Sequence, residues 1–261
     1  GNGHNDILMV FFLLLAAWAV ARGWFALGVV AITAGALSKY VPVLLLPAAG
    51  LIALRELPHW KARLRFVLVA AAGSLLLAVV SFAPYWQGLE TLTVIQRSTL
   101  YTSSLPSLIY FAITGGTASP PLSATLTRIF AALTALFALA MGWRAWKDRA
   151  WTSFAASGTL VLLFYNLVAN TWSHVWYSMW SLGLAVLLPV GAIWGTALLY
   201  SFSVLLKPFF IRPVVLAPQP KLPRFWRELY LWLSLQLLPW LFALGSLLRH
   251  RLTRKKNLPT P

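Results

Sequence analysis

Long apolar runs separated by short basic clusters recur along the whole chain. FVLVAAAGSLLLAVVSFAP (66–84) and TSFAASGTLVLLFYNLVA (152–169) approach the roughly 20 apolar residues that cross a bilayer's hydrocarbon core. Further runs occupy 7–21, 126–142 and 179–206, and two shorter ones fill 24–54 on either side of SKYVP (38–42). Each of the short pair, at about 15 residues, spans roughly 22 Å of a core about 30 Å thick. The pattern predicts an all-α, polytopic transmembrane helical bundle of about seven or eight spans.

One run stays open. LYLWLSLQLLPWLFALGSLL (229–248) is long enough to cross, but both its flanks are basic, and Gln236 and Pro239 in its middle allow a re-entrant or interfacial helix instead. The chain thus divides into a transmembrane core (1–206), a proline-rich basic loop (207–228) and a hydrophobic helix with a basic tail (229–261).

Composition agrees with a membrane protein: 60% of the 261 residues are hydrophobic and 10% charged, far from the balance of a water-soluble domain. There is no cysteine, which excludes disulfides and cysteine-ligated metals. The net charge of +16 sits in clusters between apolar runs, so it reads as topology and not as a nucleic-acid surface.

Lys and Arg are retained in short cytoplasmic loops. RELPHWKARLR (55–65), WRAWKDRAW (143–151) and the 207–228 segment are therefore predicted on the cytoplasmic side. Counting crossings from them, with 179–206 taken as one span, sends the long loop 85–123 and NTWSHVWYSMW (170–180) outside. Counting back through Arg22 sends SKYVP and the N-terminal GNGHND outside too. The chain begins without an initiator methionine or a basic leader, and it reads as the C-terminal part of a longer one.

Four polar sets converge on that outer face: His4, Asn5 and Asp6; Lys39 and Tyr40; Arg97 in the long loop; and His174, Trp176, Tyr177 and Trp180. Asp6 reads either as a helix cap or as a base or sugar-hydroxyl acceptor beside the titratable His4. Lys39 interrupts an apolar stretch at a cost of about 2.5–3.5 kcal/mol. It either snorkels at a hairpin turn or pairs with an anionic lipid headgroup. Arg97 is a solvated loop residue or a second phosphate ligand. The tryptophans suit an interfacial belt, whereas an imidazole such as His174 is not what a belt calls for. The motifs of soluble enzymes, GxGxxG, Walker loop, GxSxG and HExxH, are absent, and one carboxylate at Asp6 is a thin basis for a metal site. No metal or cofactor is expected.

GHND at the head of a span, SKYVPVLLLP about 35 residues later, and WSHVWYSMW entering a later span resemble the polytopic GT-C glycosyltransferases, most of all the alpha-mannosyltransferases of glycosyltransferase family 87. The resemblance covers roughly residues 1–200. It implies transfer of a hexose, mannose in that family, from a polyprenyl phosphate donor to a lipid-linked or glycan acceptor at the outer face of the cell membrane. The matching residues are His4, Asn5, Asp6, Lys39 and His174. Asp6 and His174 are then the candidates for proton removal, Lys39 and Arg97 for the donor phosphate, and His4, Asn5, Tyr40, Trp176 and Tyr177 for substrate binding. The family's usual catalytic acid lies in a first external loop that has no counterpart in this sequence. Two rival readings are a lipid or solute transporter, against which the absence of an internal repeat counts, and a non-catalytic membrane subunit.

Overall fold

The computed structural model describes residues 5–88, 90, 91, 100–216 and 222–256. His4 and Arg97 lie outside the described residues. The described chain is helical, with no named strand and an isolated bridge between Thr102 and Trp172.

Three helices are long and apolar enough to cross a membrane: Trp60–Tyr85, Pro120–Lys147 and Arg224–Arg249. The first contains α4 (Trp60–Phe82), the second is α6 (Pro120–Lys147), and the third lies in α11 (Arg224–Lys256). Between them run the shorter α1 (Asp6–Ala21), α2 (Phe25–Ser38), α3 (Leu46–Glu56), α5 (Leu105–Thr114), α7 (Ser153–Phe164), α8 (Ser178–Ala185), α9 (Ala192–Leu205) and α10 (Lys207–Leu216).

Helix α1 is apolar on every side. Met9, Val10, Leu13, Ala16, Ala17 and Val20 are buried while Ile7, Leu8, Phe11 and Trp18 are exposed. A helix hydrophobic all round belongs in a large core or in lipid. On α4 only Ala70 is buried, and Leu68, Val69, Leu75, Leu76, Val79 and Val80 face outward, an apolar surface too large for a water-soluble monomer.

The turn expected at SKYVP forms: α2 ends at Ser38, Lys39 is extended, and a 3₁₀ turn (Val41–Leu45) with Pro42 in its first turn leads into α3. Helices α1 and α8 touch closely. A Cβ on Gly183 would stand 2.6 Å from Val10 Cγ1, so glycine is what lets these two helices approach.

The bundle has two ends. At one, Arg55 Nη1 donates to the carbonyls of Ala145, Trp146 and Asp148, which joins the first two basic clusters as charge counting expected. At the other, Asn5 Nδ2 donates to Ser38 O (3.0 Å), and segment 102–104 is tied to 171–173 by Thr102 N to Thr171 O (3.0 Å) and Ser104 Oγ to Thr171 O (2.9 Å).

The third basic segment departs from expectation. The run 179–206 is not one span: α8 stops at Ala185, residues 186–191 turn, and α9 packs back against α8. Pro189 has no N–H to continue the helix, and the chain tightens just before it through Leu188 N to Ala185 O (2.9 Å). The hairpin returns the chain to the end it left. Lys207 Nζ therefore donates to Ser173 O, and Glu228 meets Ser103 (2.7 Å), so both ends of the 207–228 segment lie beside the loops that counting placed opposite them. Part of this segment is helical as α10, and α11 runs unbroken through Pro239.

Candidate functional site

Asp6 and Lys39 come together at the Asn5–Ser38 end. Lys39 Nζ lies 2.7 Å from Asp6 Oδ1, and the same oxygen accepts from Trp180 Nε1 at 2.6 Å. Asp6 is fully buried, whereas the Lys39 side chain keeps 22% of its surface exposed. A lone buried carboxylate would be costly, and two charge-assisted donors offset that desolvation. The capping alternative for Asp6 is not what the structure shows. It is the first residue of α1, its carboxylate is directed at α2 and α8, and the N-cap Asn5 makes no side-chain cap bond. Asp6 Oδ2 is buried and has no hydrogen-bond partner among the described residues.

The Lys39 ammonium also lies over two rings, 4.8 Å from the centroid of Tyr177 and 5.2 Å from that of Trp180, where the ring faces attract a cation. Burial, followed by the nearby Tyr40 and Asp6, pushes the Tyr177 phenol up to about 12. It stays protonated at neutral pH. Tyr40, itself exposed, shares a 2.7 Å hydrogen bond with the hydroxyl of Tyr165.

These residues border a cavity of about 710 Å³. Lys39, Tyr40, Tyr177 and Trp180 line it together with Tyr165, Asn170, Thr171 and Trp172, and Thr127, Phe130, Ala131 and Thr134 line it from α6. The α6 positions are spaced i, i+3, i+4, i+7, one face of a helix. Thr134 Oγ1 already donates to Phe130 O (2.7 Å), so this wall offers mainly methyl, methylene and ring surface. The cavity is thus polar and cationic where Lys39 sits, and apolar along α6.

His174 packs against two of the lining aromatics, Trp172 and Tyr177. Its ring stacks on Trp176 (centroids 4.2 Å, 11°) and meets the edges of Trp172 (4.0 Å) and Tyr177 (5.4 Å). Asn5 braces the Lys39 turn through Ser38. The structure therefore brings Asn5, Asp6, Lys39, Tyr40, His174, Trp176 and Tyr177 to one end of the bundle. Asp6, His174 and Trp176 stand behind the lining side chains.

Tyr165 and Asn170 were not singled out from sequence. They flank a π-helical turn, Tyr165–Ala169, closed by Asn170 N to Tyr165 O at 2.7 Å, and such turns recur at functional sites. The available signal was YNLVAN (165–170), two asparagines inside an apolar run, which is the same anomaly that marks Lys39. Asn166 Nδ2 donates to Tyr177 O (3.1 Å) and ties the π turn to the aromatic segment, while its Oδ1 is buried without a hydrogen-bond partner among the described residues. No group of three His, Asp or Glu side chains able to hold a metal ion forms among the described residues. No family model, no curated protein and no solved structure matches the chain.

Proposed function

We propose that this protein is a membrane glycosyltransferase of the GT-C kind that moves a hexose from a polyprenyl phosphate to a lipid-linked or glycan acceptor. The observation that carries the reading is Lys39: a partly exposed ammonium lining a cavity of about 710 Å³ that is also lined by a mainly apolar face of α6. A prenyl phosphate has that same division between an anionic head and a hydrocarbon chain.

In this mechanism the bond between the anomeric carbon and the donor phosphate oxygen breaks as the acceptor oxygen attacks from the opposite side. The negative charge that gathers on the leaving phosphate is stabilised by Lys39. His174 takes the acceptor's proton through a bridging water, since its ring packs against the lining Trp172 and Tyr177 and does not itself line the cavity. Asp6, buried behind Lys39, acts by holding the ammonium and Trp180 in place. One displacement inverts the anomeric centre. Mannose is the first sugar to test, because the motifs resemble the mannosyltransferases.

For topology we propose seven crossings: α1, α2, the 3₁₀ turn with α3, α4, α6, α7 and α11, with α8 and α9 as a hairpin that enters and leaves at the site's end. This count puts Arg22, Arg55, the clusters at 61–65 and 144–149 and the 249–256 tail together at the far end. That excess of Lys and Arg favours a cytoplasmic location there and an extracytoplasmic site.

The test is transfer of radiolabelled mannose from polyprenyl-phosphate-mannose into lipid extract by membranes containing the protein or its Lys39→Gln variant, compared at equal folded protein. Incorporation that drops tenfold or more in the variant, on the order of 1.4 kcal/mol, supports the reading. Absence of incorporation from this and other polyprenyl-phosphate sugars overturns it in favour of a transporter or a non-catalytic subunit.

A further inference from the structure

The end of the bundle away from the cavity gathers positive charge that the described residues do not neutralise. Arg55 Nη1 donates to the carbonyls of Ala145, Trp146 and Asp148, and Arg63 Nε donates to Leu57 O at 3.0 Å. The segment 55–65 is thereby held against the end of α6, and the two together present Lys61, Arg63, Arg65, Lys147 and Arg149, all exposed. Both acidic residues among them are already engaged. Glu56 Oε1 lies 2.7 Å from Arg55 Nε, and Asp148 Oδ1 accepts from Ala150 N at 3.0 Å. None of the five exposed cations forms an ion pair among the described residues.

Stabilising α4 does not explain the cluster. Lys61 and Arg63 sit in the first turn of α4 with no acidic residue beside them, where positive charge opposes the helix dipole. Lys61 and Arg65 are also a like-charge i, i+4 pair, which costs helix stability. Sidedness of insertion accounts for the sign of these charges but leaves them unpaired in the folded protein. Their surroundings suggest what pairs with them. Trp60, Trp143 and Trp151 are exposed among the same segments, and tryptophan is enriched at the headgroup level of a bilayer. Directly after Arg65, Val67, Leu68 and Val69 face outward on α4. The surface thus passes from unpaired cations to bare hydrocarbon within about one helical turn. A soluble anion would meet the cations and leave that apolar flank unused, whereas an anionic phospholipid matches both parts.

We propose that segments 55–65 and 143–149 form a binding surface for anionic phospholipid, with Lys61, Arg65 and Arg149 on the headgroup and the acyl chains along α4. The surface is separate from the Asp6–Lys39 end, and it stands or falls independently of the donor reading of the cavity.

The experiment is binding of radiolabelled phosphatidylglycerol to the purified full chain in nonionic detergent, with unlabelled phosphatidylglycerol, phosphatidylcholine and glycerol phosphate as competitors. Phosphatidylglycerol is expected to compete at least tenfold better than phosphatidylcholine, about 1.4 kcal/mol, and glycerol phosphate not to compete. The variant Lys61→Gln/Arg65→Gln/Arg149→Gln is expected to lose at least tenfold in phosphatidylglycerol affinity, with phosphatidylcholine unchanged. Arg254→Gln/Lys255→Gln/Lys256→Gln removes the same charge from the end of α11 and is expected to bind like the wild type. Should the first variant fail to fold, as judged by circular dichroism, Lys61→Gln/Arg149→Gln serves, with a smaller loss expected. Equal competition by the two phospholipids overturns the proposal, as does wild-type affinity in the first variant. An equal loss in the α11 variant shows that net charge alone is read, and displacement by glycerol phosphate shows a site for soluble anions; either result also overturns it.

Discussion

Two carboxylates are buried at the same end of the bundle and are used differently. Asp6 gives one oxygen to Lys39 and Trp180, and its ammonium partner reaches a cavity. Glu228 is enclosed: Oε2 accepts from Ser103 N (2.7 Å) and Ser107 Oγ (3.3 Å), and Oε1 lies 3.5 Å from Arg224 Nε. Its anchoring task is visible in Ser103, whose φ of 54° is uncommon for a residue with a side chain. Glu228 pins that strained backbone immediately before the Ser104–Ser107 capping box that starts α5. The difference teaches that burial of a charge does not mark a reactive site. What separates the two is where the partner cation lies: Lys39 lines a cavity, whereas Arg224, though more exposed, lies over the ring of Phe111.

The comparison breaks or sharpens at four points. The largest effect is expected for Lys39→Ala, which leaves the Asp6 carboxylate buried beside Trp180 alone. Removing one partner of a buried pair costs about 3–5 kcal/mol, and the double variant Asp6→Asn/Lys39→Ala should regain part of it. Thermal unfolding in detergent reads both, and a double variant no more stable than the single would remove the case for coupling. Next, Glu228→Ala is expected to lower stability by about 2 kcal/mol, since Ser103 N loses its acceptor. Transfer per folded molecule should remain unchanged; a tenfold loss in Glu228→Ala would make the two carboxylates alike.

Gly183→Ala comes third. The new methyl would meet Val10 2.6 Å away, and β-branched valine has little freedom to move, so a loss of about 1–3 kcal/mol is expected. Because α1 carries Asp6 and α8 carries Trp180, transfer should fall as well, and full transfer would show that their spacing is not critical. The smallest effect concerns pH on the Glu228 side. Burial lowers Lys207 from 10.5 to about 8, with the charge of Glu228 opposing. The folded state then binds fewer protons than the unfolded one between those values, so this group makes stability rise with pH from about 8 to about 10.5 and contributes no slope below 8. Subtracting the Lys207→Met curve from that of the wild type should reveal this rise, and parallel curves would refute it.

Some of this was legible residue by residue. Lys39 and Asp6 stood out because a charge in or beside an apolar run is expensive, and an expense of that kind shows in sequence without knowledge of its partner. The pairing did not show, since it joins the first residue of α1 to the turn after α2, positions 33 apart. Glu228 was not singled out because it lies in a run of charges that reads as solvated, and only α5 and segment 102–104 folding over it make it a buried anchor. Asn170 carried a signal of the Lys39 kind, weakened because an amide costs less than an ammonium and blends into the polar segment that follows it.

The sequence by itself determined the helical class, the apolar surface of α1 and α4, and the turn at Lys39. Each follows from local composition and from the insertion cost of single residues. Only the tertiary structure decided that 178–205 is a helical hairpin and not one continuous helix, because hydropathy measures how apolar a run is and not whether it turns back. That turn brings Lys207 and Glu228 to the site's end. The cavity, too, belongs to the tertiary structure alone. Its walls are the end of α2, one face of α6 and a π turn after α7, and their separation is set by side chains packing between helices distant in the chain, a relation that no local pattern records.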